Sequence, residues 1–364
     1  MPTKKPTIDE ILQHELAIAR LATGSINSIL VPSLEQTYAE IRRIIRERGL
    51  PNTPKRLEML ERAIAQAINK YNGWESITAH LDEFAQYEAG AALATTQVFT
   101  ATALELTAAD RIAQYVNTAL MSLESGSRAS TGTWAQFVKG NIDSQIENYN
   151  NIIRTGYARG QTLRQISRNL QDATEGLIRR EAESLARTGY SHYANAAREA
   201  MAQGLSIDTD WVLIYTFDSR ISLTCLHQSQ TKSRWKSDDP KRRVPPLHFG
   251  CRTTGILLPE GEELDGLRPA VSGKKGEAAE KSFDRRAANK TPKYRGKKDK
   301  AFDGGRIRYS TGYEQFLARQ PFWYVQEVLG KKKAQLFLSG DYKLKSFFDM
   351  TGKPLTLDEL VNKT

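Results

Sequence analysis

The chain has 364 residues, with 52 Lys and Arg against 42 Asp and Glu for a formal net charge of +10, and an ordinary soluble balance of 40% hydrophobic and 26% charged residues. That length allows two or more domains and a sizeable core, while the basic balance suits an anionic partner without identifying one. Two cysteines in the whole chain argue against a disulfide-stapled secreted fold.

In chain order, Met1-Pro2-Thr3-Lys4-Lys5-Pro6 leads into a polar, amphipathic stretch rather than an apolar one. We therefore expect no signal peptide and a protein made in the cytosol. From Thr7 to about Gly204 the hydrophobic spacing is helical almost throughout. Thr7 with Glu10 reads as a capping box opening the first helix. Thr53-Pro54 places an N-cap before a proline, with Leu57, Leu60, Ile64, Ile68 and Tyr71 on one face and Gly73 able to end the helix. The longest uncharged run, between Glu88 and Glu105, is too short and too rich in Ala and Thr to span a bilayer, so a buried small-residue helix is expected there. Trp134, Val138, Ile142, Ile146, Tyr149, Ile153 and Tyr157 form another helical stripe, which Gly156 and Gly160 should break. Thr162 then caps a short helix carrying Leu163, Ile166 and Leu170, and a longer one follows with Ile178, Ala182, Leu185, Tyr193 and Ala197 inward. His192, beside Tyr193, is expected to pack rather than react.

Near Ser206 the period changes. Trp211 to Phe217 is dense in β-branched and aromatic residues and predicts a buried strand, and Gly255 to Pro259 a second, shorter one. Between them lies a loop-rich insert holding both cysteines and two of the five histidines. Residues 268–300 carry 12 Lys and Arg against 4 Asp and Glu, about +8 of the +10, and predict a long mobile arm or linker. Thr311 with Glu314, and Thr356 with Glu359, are capping boxes for C-terminal helices, with Gly330 and Gly340 punctuating the segment between. The fold class is α+β: a mostly helical N-terminal body, a small mixed α/β module with a Cys/His loop, a basic linker and a short helical tail.

The chemistry concentrates in that loop. Cys225 and His227 are two apart, so on an extended backbone both would face one side, and His248 and Cys251 are three apart beyond the stiff Pro245-Pro246. Two thiolates and two imidazoles make a tetrahedral zinc set, and a metal clip would stabilise a polar loop that has little core of its own. Three readings stay open: structural zinc, metal-free packing or a Cys225–Cys251 disulfide, and a catalytic cysteine with a histidine base. Asp218 and Arg220 either anchor the loop by a charge-assisted pair or cap the strand end. Phosphate-loop, zincin and nucleophile-elbow motifs are absent.

Taken together, Ala186-Arg187-Thr188, Asp218-Ser219-Arg220, Cys225 and Pro245-Pro246-Leu247-His248-Phe249-Gly250-Cys251-Arg252 resemble the signature of the phage Mu F-like head morphogenesis family. The match in order and spacing covers about 75 residues, from Ala186 to Pro259. Tyr313-Glu314-Gln315-Phe316-Leu317, Gln320-Pro321, Val328-Leu329-Gly330-Lys331 and Leu355 to Leu360 look like the tail of many of these proteins. Thr253 departs from the pattern, standing where a second cysteine often follows the arginine. Were that cysteine a ligand elsewhere, His227 or Asp218 would have to replace it here, or this chain would bind no metal.

The resemblance implies a structural minor head protein of a tailed phage, not an enzyme. Its regions would be a helical N-terminal part (1–133), the head morphogenesis domain (134–260), a basic flexible linker (261–309) and a C-terminal helical segment (310–364). It implies capsid assembly in the host cytoplasm and then a place in the virion, inside the capsid at the portal vertex. Partners would be portal or major capsid protein, with no membrane. Lys274, Lys275, Arg285, Arg286, Lys297 and Lys298 would face packaged DNA through its phosphates. The competing expectation is a metal-dependent nucleic-acid-processing enzyme using the Cys/His cluster. It would need an open metal position and a base, with Glu260, Glu262 and Glu263 nearest in sequence, although Pro259-Glu260-Gly261 reads as a turn.

Overall fold

The computed structural model describes residues 8–49, 51–100, 103–125, 128–264, 267–270, 302–303, 306–349 and 352–361. Its helices α1 (Ile8–Ser25) and α2 (Val31–Arg48) join through a π-helical turn, Ile26–Leu30. Then come α3 (Pro54–Tyr71), α4 (Trp74–Thr100), α5 (Ala109–Thr118), a hairpin β1 (Met121–Ser125) and β2 (Arg128–Gly132), and α6 (Trp134–Ala158). Helix α7 (Leu163–Ala173) continues through a second π turn, Thr174–Ile178, into α8 (Arg179–Gln203).

Local chemistry explains several of the helix ends. The Thr53 hydroxyl accepts from the Arg56 amide at 3.3 Å with Pro54 at N1, and Thr133 and Thr162 each form a capping box with the glutamine three residues on. Gly156 does not break α6: it lies within the helix, where a Cβ would strike Ile166 of α7, and the chain leaves the helix at Gly160 with φ +62°. The Thr7 capping box lies outside the described residues. The uncharged run of α4 is a buried helix, with Ala89, Leu93, Thr96 and Phe99 inward, and no described helix is long and apolar enough to cross a membrane. The hairpin was not legible as such, since Met121 and Leu123 are its only buried apolar residues.

Helix α8 is the axis of the fold. Its alanines and glycine let α4, α5 and α6 approach closely, and Trp134 packs over Gly189. His192 on α8 is 3% exposed. Burial pushes its pKa down to about 4, although a hydrogen bond to the Val116 carbonyl favours the charged form. The unfolded chain takes up that proton near the ordinary value of 6.5, so stability falls as pH drops below it and levels off below about 4. The expected loss is about 2 kcal/mol between about pH 7 and about pH 5. His192→Leu should flatten this part of the urea-midpoint profile; an unchanged slope would assign the pH dependence elsewhere.

Beyond α8 a three-stranded antiparallel sheet, β3 (Thr209–Ile214), β4 (Arg234–Lys236) and β5 (Thr254–Pro259), runs in the order β4-β3-β5, with Trp211 opposite Trp235 and Leu257. Side chains alternate: Trp211 and Leu213 enter the main core, while Val212 and Ile214 join Phe99, Ile256, Leu258 and Leu264 on the other face. The expected strand therefore ends at Ile214. Phe217 instead packs against Tyr313 and Phe316 at 5.1 and 5.3 Å between ring centres. Within the expected loop sit β4 and a short helix, α9 (Leu223–Gln228).

A second sheet, β6 (Leu267–Pro269), β7 (Phe302–Asp303) and β8 (Arg306–Arg308), pairs in the order β6-β8-β7 and holds both flanks of the basic stretch. The six basic residues expected to meet DNA lie outside the described residues. The tail is α10 (Tyr313–Leu317), α11 (Phe322–Leu329), α12 (Lys331–Ser339) and α13 (Leu357–Val361). Thr356 and Glu359 form their reciprocal box at 2.7 and 3.2 Å, whereas the N-cap of α10 is Gly312 rather than Thr311. One buried cluster runs from Ile18 to Leu360, so tail, module and body share a core.

Candidate metal centre

Ser222 caps α9 by accepting from the Cys225 amide at 3.1 Å, which turns the buried Cys225 thiol toward the tight turn His248 to Cys251. That turn follows the cis Pro245–Pro246 bond and closes through the Cys251 amide donating to the His248 carbonyl at 3.1 Å. Gly250 adopts φ +66°, a conformation costly for any residue with a Cβ. Its amide donates to the Thr188 hydroxyl of α8 at 2.9 Å, and the Glu124 amide of β1 donates to the Leu247 carbonyl at 2.9 Å. Helix and hairpin thus hold the turn from two sides.

The result brings three of the four expected ligands together. Cys225 Sγ lies 3.2 Å from His248 Nε2 and 3.6 Å from Cys251 Sγ, and the three ligand atoms all fall within 4.8 Å of one another. A tetrahedral zinc with ordinary bond lengths would hold two sulfurs about 3.8 Å apart and a sulfur and nitrogen about 3.6 Å apart. Small outward shifts therefore suffice, and the donor set fits a soft divalent metal. His248 Nδ1 sits 2.9 Å from the Phe249 carbonyl, which can only accept, so Nδ1 carries hydrogen and Nε2 is left for a metal.

Without metal the group polarises itself. The hydrogen bond with Cys251, reinforced by burial, pushes the Cys225 thiol far up. Burial opposes the Cys251 thiolate, but hydrogen bonds from Cys225 and His248 outweigh it and hold its pKa well below the ordinary value. Burial lowers His248, yet the Cys251 contact raises it overall, so the pair leans toward thiolate and imidazolium.

His227 is not part of this group, which corrects the expected ligand set. The expectation assumed an extended backbone; on the helix α9, residues two apart point about 200° around the axis. The His227 ring packs instead on Phe348 at 5.2 Å, against Gly352, and burial lowers its pKa. Beside Cys225 stands Thr253, its hydroxyl 3.1 Å from the sulfur, at the position where a cysteine would complete the set.

Asp218 anchors the loop, though chiefly through a partner not foreseen. Its buried carboxylate receives both terminal nitrogens of Arg252, one at 2.8 Å, and the Arg220 amide at 3.0 Å. The Arg220 side chain is 79% exposed and only 4.0 Å from that carboxylate, so Arg220 contributes mainly its backbone. The Tyr313 hydroxyl donates to the Asp218 carbonyl at 2.8 Å, tying α10 to the same loop. Glu260 and Glu263 pair with Lys236 and Arg234 along the sheet instead of facing the cluster.

Two further residues of α8 serve the module and were not singled out from sequence. Asn195 accepts from the Gly255 amide at 2.8 Å, and Arg198 donates to the Thr254 hydroxyl and the Gly255 carbonyl. Their spacing with Thr188, seven and then three residues, was the available signal, because it marks one helical face.

A family model described as Phage Mu protein F like protein matches residues 147–256, from within α6 to within β5. No curated protein matches the chain. No solved structure does either. The matched span contains Thr188, Asp218, Cys225, His248 and Cys251, the residues that build and brace the centre, so over residues 147–256 the chain is similar to the Phage Mu protein F-like family.

Proposed function

We propose that this chain is a structural minor head protein of a tailed phage, acting in capsid assembly near the portal, with zinc bracing the Cys225–His248–Cys251 turn. The observation that carries the reading is the family match over the segment that forms the centre. The construction supports it: the turn is tied to α8 and the hairpin, the neighbouring Asp218 loop to the tail, and the cleft beside it measures about 40 Å³, too small for a nucleotide. Bound zinc would pull the three groups into one rigid unit, and the chain's own part is to present two thiolates and a correctly tautomerised imidazole.

The basic stretch 268–300 is the proposed contact to packaged DNA, through Lys274, Lys275, Arg285, Arg286, Lys297 and Lys298. Its flanks meet in one small sheet, so the stretch leaves and returns at one place on the body. Such charges act on phosphates without reading sequence. Portal or major capsid protein would then contact the helical body, inside the capsid. One experiment addresses both parts: crosslink DNA to protein in purified virions and analyse the particles by mass spectrometry. The chain should appear well below the major capsid protein, with its DNA crosslinks within 268–300. Its absence from mature particles would overturn the reading, and crosslinks confined to other residues would overturn the DNA assignment.

A further inference from the structure

The centre offers three protein ligands, and the fourth place is informative. Thr253 stands there with a neutral hydroxyl, a poor zinc ligand, hydrogen-bonded to Cys225. His227 has turned away onto Phe348, and the Asp218 carboxylate is committed to Arg252. No other described Cys, His, Asp or Glu joins the group. Next to it lies the cleft of about 40 Å³, bounded by Cys225, His248, Gly250, Thr253, Ser222 and Arg220. One water needs roughly 10–15 Å³, so the space takes a group of about three heavy atoms.

The charge around the cleft selects that group. A divalent metal with two thiolates is neutral overall, and Arg252 is neutralised by Asp218. Arg220, 79% exposed and 4.0 Å from the same carboxylate, also lines the cleft, so two guanidiniums share one Asp218 and one positive charge is in surplus there. We infer that a metal held by Cys225, His248 and Cys251 completes its coordination in this cleft with a carboxylate oxygen from outside the chain, steered by Arg220. The inference rests on the metal reading above. It turns a brace internal to this chain into one that closes when a carboxylate arrives, either a free small carboxylate or an Asp or Glu side chain of a neighbouring protein.

Cobalt(II) is the probe, because its visible bands report coordination in a tetrahedral site. Full-length protein loaded with cobalt is titrated with acetate at constant ionic strength, and separately with acetyl-Gly-Asp-Gly-amide against its Asn counterpart. Acetate should shift the bands saturably, and Arg220→Ala should weaken that binding about two- to fivefold, the value of one exposed charge. Thr253→Cys should abolish the response and add thiolate absorption. Tighter binding of the Asp peptide than of acetate would identify a protein side chain as the source, and equal or weaker binding a free carboxylate. Bands that bind cobalt but ignore acetate would overturn the inference while leaving the metal centre standing. Acetate binding unchanged by Arg220→Ala would overturn the steering role, and failure to bind cobalt at all would overturn centre and inference together.

Discussion

Replacing Arg198 by alanine is expected to cost about 3–5 kcal/mol of stability, among the largest effects of any single change in this protein. The Arg198 side chain is 5% exposed, and its guanidinium reaches four partners. It bonds Glu88 of α4 at 2.5 and 2.7 Å, Glu15 of α1 at 2.6 Å, and the Thr254 hydroxyl and Gly255 carbonyl of β5. Burial opposes both charges in the central pair. The carboxylates of Glu15 and Glu88 nonetheless raise Arg198, and Arg198 with His14 holds Glu88 below the ordinary carboxylate value. Removing Arg198 leaves Glu88, 1% exposed, with His14 at 2.7 Å as its remaining charge partner, in place of the guanidinium that reached it through two nitrogens. The double variant Arg198→Met with Glu88→Leu should recover much of the loss, since apolar replacements of a buried pair are often neutral. Urea unfolding of both variants measures this; a single variant costing under about 1 kcal/mol would show that water reaches the pair.

The second large effect concerns Trp211. Its side chain is fully buried, its indole donates to the Arg243 carbonyl at 3.0 Å, and its ring covers Gly255 on the neighbouring strand. Trp211→Ala should cost about 3–5 kcal/mol through the cavity it leaves. Gly255→Ala should cost about 1–3 kcal/mol, because a Cβ there would overlap the ring. The two losses come from one contact. In the Trp211→Ala background Gly255→Ala should therefore be nearly free, and the coupling in a double-mutant cycle should approach the whole cost of the glycine change. Additive losses would mean that the glycine is needed for its backbone alone.

How far the sequence reached depended on the range of the interaction that decides each feature. Capping at Thr53, Thr162 and Thr356 is local, and it was read correctly. The change of period near Ser206 marked the mixed module, because a strand buried on both faces leaves an apolar run. His227 was misplaced because spacing has meaning only once the backbone is known, and α9 is too short to announce itself among polar residues. Arg252 was passed over as the partner of Asp218 because the two are 34 residues apart and meet through tertiary structure. The hairpin 121–132 escaped for a similar reason: its value lies in holding Leu247, which no local pattern encodes. Motif order identified the family segment, and geometry decided which motif residues are ligands, braces or bystanders.

Helix α8 carries Thr188, Asn195 and Arg198 along one face, and each fastens a different point of the module: the turn at Gly250, the start of β5, and the knot with α1 and α4. The first and last of these anchors lie ten positions apart, about 15 Å along the helix. A body and a module joined by a linker can open separately, each with its own local free energy. Here the amides of Gly250 and Gly255 find their acceptors on a helix that is also the axis of the body, so opening the module breaks contacts to that axis. The Cys/His turn is therefore expected to open together with the N-terminal helices as one cooperative unit, so that loosening α1 lowers hydrogen-exchange protection at the cysteines as well.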